Sequence, residues 1–183
     1  MIFSNGRPDG SPTTLWQLQK ELLHLAENLL GPRDHSKIIY QPAFLSGGPY
    51  LWNSTNRDGA AAVLSMNAAG FWPTTVYEMA HETVHLLNPT DGYTNWLEEG
   101  VAVAFSLHAL DHYAMDKHNP TLQAYTDALE LVMELPGRPF EVPRAARSIV
   151  GALNAVTIES LHAVAPGHAD EKLDRLVSIC VPR

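Results

Sequence analysis

The segment that most restricts how this chain can fold is Val101-Ala102-Val103-Ala104-Phe105-Ser106-Leu107, which is apolar at nearly every position. A helix that is apolar all round cannot lie on a surface, so this one is expected in the interior. Asn95 offers an N-cap, and Glu98 follows it at the spacing of a capping box, so the helix is expected from Asn95 to about Lys117. Its first turn brings two carboxylates, Glu98 and Glu99, to the start of a buried apolar helix. A carboxylate there is costly unless something pairs with it.

The rest of the pattern mixes helices with short strands. Leu15, Leu18, Leu22, Leu25 and Leu29 recur at helical spacing and predict a helix over 14–30, stopped by Gly31-Pro32. Residues 37–40 and 50–52 read as short strands. Residues 61–67 read as a third, with helix left open by the alanines. A second helix is expected from Thr75, with Thr75 and Glu78 as its capping box, and must end by Asn88 because Pro89 cannot continue it. Another runs over 121–135 and is broken by Pro136-Gly137-Arg138-Pro139. Two or three short helices follow Pro143, the last near 170–180. The expectation is one α+β domain spanning 1–183, with 1–12 as a flexible lead and a mainly helical C-terminal part.

Composition narrows the classes. At 183 residues the chain can bury a core without staples, and the 45% apolar and 17% charged fractions suit a well-buried interior. The formal charge of −8 disfavours nucleic-acid partners. Cys180 is the only cysteine, so a disulfide within the chain and a cysteine metal cluster are both excluded. No signal peptide and no membrane-spanning run are read, so a cytoplasmic location without a membrane partner is expected.

The chemistry lies in His81-Glu82-Thr83-Val84-His85, inside the second helix. Residues i and i+4 share a helix face, so the two imidazoles can grip one Zn²⁺. Glu82, next to the first ligand, is better placed to contact a water on the metal and serve as general base. A catalytic zinc wants a third protein ligand and an open position. Asn95 and the capping-box spacing occupy Glu98, and Glu99 is left without a local task, so Glu99 is assigned to the metal. Asp91 is the alternative ligand, but it precedes Gly92 and is explained as a turn residue.

His-Glu-x-x-His at 81–85 followed by Trp96-Leu97-Glu98-Glu99-Gly100-Val101-Ala102 resembles the gluzincin metallopeptidases, on the thermolysin and M1-aminopeptidase side of the zincins. The resemblance covers about residues 60–110. It implies a zincin-like fold with a small mixed sheet, whose edge strand lies just before the metal helix and pairs with extended substrate; residues 61–67 would be that strand. It implies Glu99 as third ligand and a peptide or protein as substrate. Two features depart from the pattern. The position four after Glu99, an Asp in the thermolysin branch, is Val103, so support for a zinc histidine must come from elsewhere. The Gly-Ala-Met-Glu-Asn segment of the M1 aminopeptidases is missing.

An oxyanion donor is also expected, and Tyr77, Tyr93, His112, Tyr113 and Tyr125 are the candidates, with none selected. His24, His35, His108, His118, His162 and His168 form no ligand-spaced pair, and Trp16, Trp52, Trp72 and Trp96 read as core or pocket walls. The expected activity is zinc-dependent peptide hydrolysis. The rivals are an inactive zincin-like binding or regulatory protein and a metal-free helical interaction domain.

Overall fold

A computed structural model describes residues 3, 6–116, 120–137 and 139–181. In chain order the elements are α1 (Pro12–Leu30), β1 (Ile38–Ile39), β2 (Ala43–Leu45), β3 (Tyr50–Asn53), β4 (Gly59–Ser65), α2 (Trp72–His85), α3 (Trp96–His112), α4 (Gln123–Met133), α5 (Glu141–Val150), α6 (Ile158–Val164) and α7 (Asp170–Val177). The fold is mixed α+β, as expected. Among the described residues no helix is long and apolar enough to cross a membrane.

The buried axis of the molecule is α3. Its residues Leu97 to Ser106 are all buried, and α2, α4 and α7 pack around it. Phe105 is fully buried at its middle. Gly100 sits where α3 and α4 come closest. A Cβ there would run into the Ala128 carbonyl and the Val132 side chain, so the close crossing depends on a residue without one. On the other side, α1 turns Leu15, Leu18, Leu22, Ala26 and Leu30 inward and packs on α2.

The sheet is small and mixed. Strands β1 and β2 run parallel to β4, and β3 runs antiparallel to it. Ala60 pairs with both Ile39 and Asn53, and Val63 with both Ala43 and Tyr50. A strand residue has one partner on each side, so β3 occupies one edge of β4 while β1 and β2 share the other. Every residue of β4 is buried. The strand that leads into α2 is therefore central, and the expectation that residues 61–67 form an edge is corrected. β3 forms one of the sheet's two edges. Its residues alternate between exposed and half-buried, as an edge strand facing solvent does.

Three local readings also change. The second helix starts at Trp72, three residues before the expected Thr75, with Pro73 in its first turn and no side-chain cap. The Thr75 hydroxyl instead donates to the carbonyls of Ala68 and Phe71, and Glu78 accepts from the Ser65 amide and hydroxyl at 2.7 and 2.6 Å. Strand β2 was not anticipated: Pro42 breaks the run that pairs with β4, and three residues carry too little periodicity to read. The lead is anchored where it is described. Phe3 packs against Trp72 and Tyr113, the Trp72 indole donates to the Gly6 carbonyl, and Pro8 is buried. Residues 1, 2, 4 and 5 of that lead, Lys117 at the expected end of α3, His118, and Arg138 in the helix break lie outside the described residues.

Candidate metal centre

The last turn of α2 carries His81, Glu82 and His85, and the first turns of α3 carry Glu98 and Glu99. Because the two helices pack side by side, five ionisable side chains meet in the interior, none more than 8% exposed. The α3 end is fixed by its cap: the Asn95 side chain accepts from the Glu98 amide at 2.8 Å and donates to the Leu153 carbonyl at 2.9 Å. Chain beyond α7 then pairs with the segment that leads into α3. The Cys180 amide donates to the Thr94 carbonyl, and the Trp96 amide to the Ser178 carbonyl.

Within this cluster the imidazoles of His81 and His85 lie 5.1 Å apart, centre to centre. Nε2 of His81 is 3.2 Å from Glu99 Oε2, and Nε2 of His85 is 3.7 Å from Glu99 Oε1. Ligand-capable atoms of His81, His85 and Glu99 all fall within 4.8 Å of one another. The sequence-assigned ligands are thus brought together. Asp91 is not with them. Its carboxylate is engaged outside, by Arg57 at 2.6 Å and by the Asn53 amide at 3.1 Å.

Glu98 is the residue that sequence reasoning misjudged. The capping-box expectation sends its carboxylate back to Asn95, but it reaches His85 Nδ1 at 2.8 Å. That bond holds a proton on Nδ1 and leaves Nε2 turned toward Glu99, which is how carboxylates orient metal-binding imidazoles. The contact to a histidine that Val103 cannot make is therefore made by Glu98, just before Glu99. No local pattern could have revealed this, because the bond crosses from α3 to α2. The Thr94 hydroxyl likewise donates to Glu99 Oε1 and fixes that carboxylate.

Electrostatics show what the cluster lacks. Three buried carboxylates, Glu82, Glu98 and Glu99, face two imidazoles. Burial alone would lower the His85 pKa, but Glu99, Glu98 and Glu82 outweigh it and push it up to about 10. Burial would raise Glu99, yet His85 and His81 hold it down to about 2. Glu82 is raised by burial, against the pull of His85 and His81. Without an ion, a proton on His85 serves as the missing positive charge. The bonding is incomplete as well: Glu98 Oε2 is buried with no hydrogen-bond partner, and Glu99 Oε2, 3.2 Å from His81 Nε2, makes no well-aligned hydrogen bond. A carboxylate oxygen so placed beside two imidazole nitrogens fits a cation between them. The donor set of two nitrogens and a carboxylate suits a divalent transition metal.

The cluster opens into a cavity of about 420 Å³ walled by His81, Glu82, His85, Glu99, the whole of β3 and Tyr125. Of the candidate oxyanion donors, Tyr125 lies nearest the imidazoles, its ring 5.1 Å from that of His81. Its phenol is held protonated, first by burial and then by the charges of Glu99 and Glu82. Tyr93 stands exposed on the rim. Tyr113 donates to Glu21 at 3.2 Å in a separate cavity that also holds His112, and Tyr77 lines a neighbouring cavity. Trp52 forms cavity wall as part of β3, while Trp96 lies beneath the Arg175 guanidinium, 4.6 Å from the ring centre. His24 and His108 line other cavities, and His35 and His162 approach Glu27 and Asp170. Comparison with protein-family models, curated proteins and solved structures found no match.

Proposed function

We propose that the chain is a zinc metallopeptidase of the gluzincin type, with His81, His85 and Glu99 as ligands and Glu82 as general base. The observation that carries this reading is the buried group His81, His85 and Glu99, with Glu82 beside it on the wall of the same cavity. A bound zinc would supply a Lewis acid that polarises the scissile carbonyl and makes water acidic enough to lose a proton near neutral pH.

The chain's own groups account for the remaining steps. Glu82 removes a proton from the attacking water as its oxygen bonds to the carbonyl carbon. It then delivers that proton to the amide nitrogen as the C–N bond breaks, leaving a carboxylate and an amine. A buried carboxylate is a stronger base than one in water, which favours Glu82 in this role. Tyr125 donates its phenolic hydrogen to the oxyanion that develops on the carbonyl. Glu98 and Thr94 hold His85 and Glu99 in place. The unpaired edge of β3 offers backbone groups to an extended peptide, taking the role that the family resemblance gives to an edge strand. The zincin-like reading is further supported by β4 leading almost directly into the ligand-bearing α2.

The Glu82→Gln variant tests the mechanism. It should keep its metal and lower peptide hydrolysis by about 10²- to 10⁴-fold. Cleavage at the wild-type rate by the metal-loaded variant would rule out Glu82 as the base.

A further inference from the structure

We propose that a positively charged cavity at the Asn53 end of β3 selects the substrate, so that peptides with an acidic side chain a few residues before the scissile bond are favoured. This inference rests on the metallopeptidase reading above and names a substrate class for the same site.

The cavity has a volume of about 410 Å³ and shares Asn53, Thr90 and Asp91 with the metal cavity. Lys37, Arg57 and Pro89 complete its walls. Asn53 is the last residue of β3, so the space lies beyond the end of the strand that walls the metal cavity. Main-chain pairing brings its cations together. Lys37 stands just before β1, the Ile38 amide donates to the Asp58 carbonyl at 2.8 Å, and the turn that carries Arg57 is thereby held beside Lys37. The segment after α2 closes the other side, where the Asn53 side chain donates to the Thr90 carbonyl at 2.9 Å and to Asp91 Oδ1 at 3.1 Å.

Two cations and one anion line this space. Asp91 is matched by Arg57 at 2.6 Å, which leaves Lys37 over. The Lys37 ammonium donates to the Arg57 carbonyl at 2.7 Å, a neutral partner, and among the described residues it forms no ion pair. Asp34 is the nearest rival. Its carboxyl is held below its ordinary value mainly by the hydroxyl and amide of Ser36, with a smaller pull from Lys37, and it does not line the cavity. An unmatched ammonium beside a cleft attracts a carboxylate and repels another ammonium. The formal charge of −8 offers an acidic peptide no general attraction, so a preference for one traces to this cavity.

Position along the substrate follows from strand direction. Antiparallel pairing is the more stable arrangement for a strand added to β3. A peptide so paired runs its N-terminal side toward Asn53, so the residue that meets Lys37 precedes the scissile bond. With β3 four residues long, that residue lies about two to four positions upstream. The cavity at the Pro49 end supplies no cation, because its charged lining residue is Glu78. The preference is therefore one-sided.

The test starts from a random peptide mixture cut by the zinc-loaded wild type, with the residues around each cut read by mass spectrometry. The best-cut sequence is then made with Glu, Gln or Lys at the favoured upstream position, and kcat/KM is measured for each. The expected order is Glu, then Gln, then Lys, with about tenfold between the first and last. Lys37→Glu should reverse that order while keeping zinc content and Tm. Arg57→Gln, which releases the charge of Asp91 into the cavity, should shrink the preference. Acidic residues enriched only after the cut, or not at all, overturn this inference and leave the peptidase reading standing. So does an order that survives Lys37→Glu unchanged. Failure of the zinc-loaded wild type to cut any peptide of the mixture removes the peptidase reading, and this inference with it.

Discussion

Two buried charged clusters flank the end of α2, and they are built on opposite principles. Arg147 on α5 is 4% exposed, yet its guanidinium is well partnered. It donates to Leu30 O at 2.8 Å, to Pro32 O at 2.7 Å, and to Asn88 Oδ1 at 3.1 and 2.6 Å. It ties together the end of α1, the segment after α2, and α5. The cluster of His81, Glu82, His85, Glu98 and Glu99 is just as buried but unfinished, with Glu98 Oε2 unpartnered, Glu99 Oε2 without a well-aligned hydrogen bond, and three carboxyl groups set against two imidazoles. A folded chain completes its structural polar networks. One left incomplete at the floor of a cavity has the donors and the room for a cation.

The contrast can be broken in three ways. Zinc should produce the largest change, because it completes the unfinished cluster. At a free concentration a thousandfold above Kd, it should stabilise the fold by about 4 kcal/mol, or roughly 10 °C in Tm for a domain of this size. A thermal melt with and without zinc, reversed by chelator, measures this. Replacing Arg147 by Met comes next. Lost charge-assisted bonds and stranded carbonyls should cost about 3 kcal/mol in denaturant unfolding, with or without metal. A small loss would show that the Arg147 cluster is not the structural tie described. Glu98→Ala should have the smallest effect. It should weaken zinc about 10- to 100-fold in a competition assay while leaving the three ligands in place. Unchanged zinc affinity would remove Glu98 from its role toward His85.

What the sequence disclosed divides along the same line. The meeting of His81 and His85 on one face was legible because the helical repeat fixes their spacing. Glu99 was legible because Asn95 set the start of α3 and left that carboxylate without local work. The all-apolar stretch after Gly100 correctly announced an interior helix. Features that depend on contacts between distant elements were hidden. The Glu98 bond to His85, the approach of Tyr125 to His81, and the Arg147 tie each join separate helices, with no periodicity to mark them. Edge and centre were exchanged in the sheet for a related reason. Seven buried residues of β4 read as a strand, and residues 37–40 as another, but which side of a strand is covered is decided by its partners, and β2 is too short to announce itself. The capping-box reading of Thr75 and Glu78 failed because Ser65, on the strand before, offers Glu78 two donors.

The central claim is that His81, His85 and Glu99 hold one divalent ion between them. Its most direct test is zinc stoichiometry and affinity, measured by chelator competition on the purified wild type and on His81→Ala and Glu99→Ala chains that remain folded by circular dichroism. One zinc per wild-type chain, with binding abolished or greatly weakened in both variants, is the predicted result. A wild type that binds no zinc, or variants that bind it as tightly as the wild type, would contradict the claim.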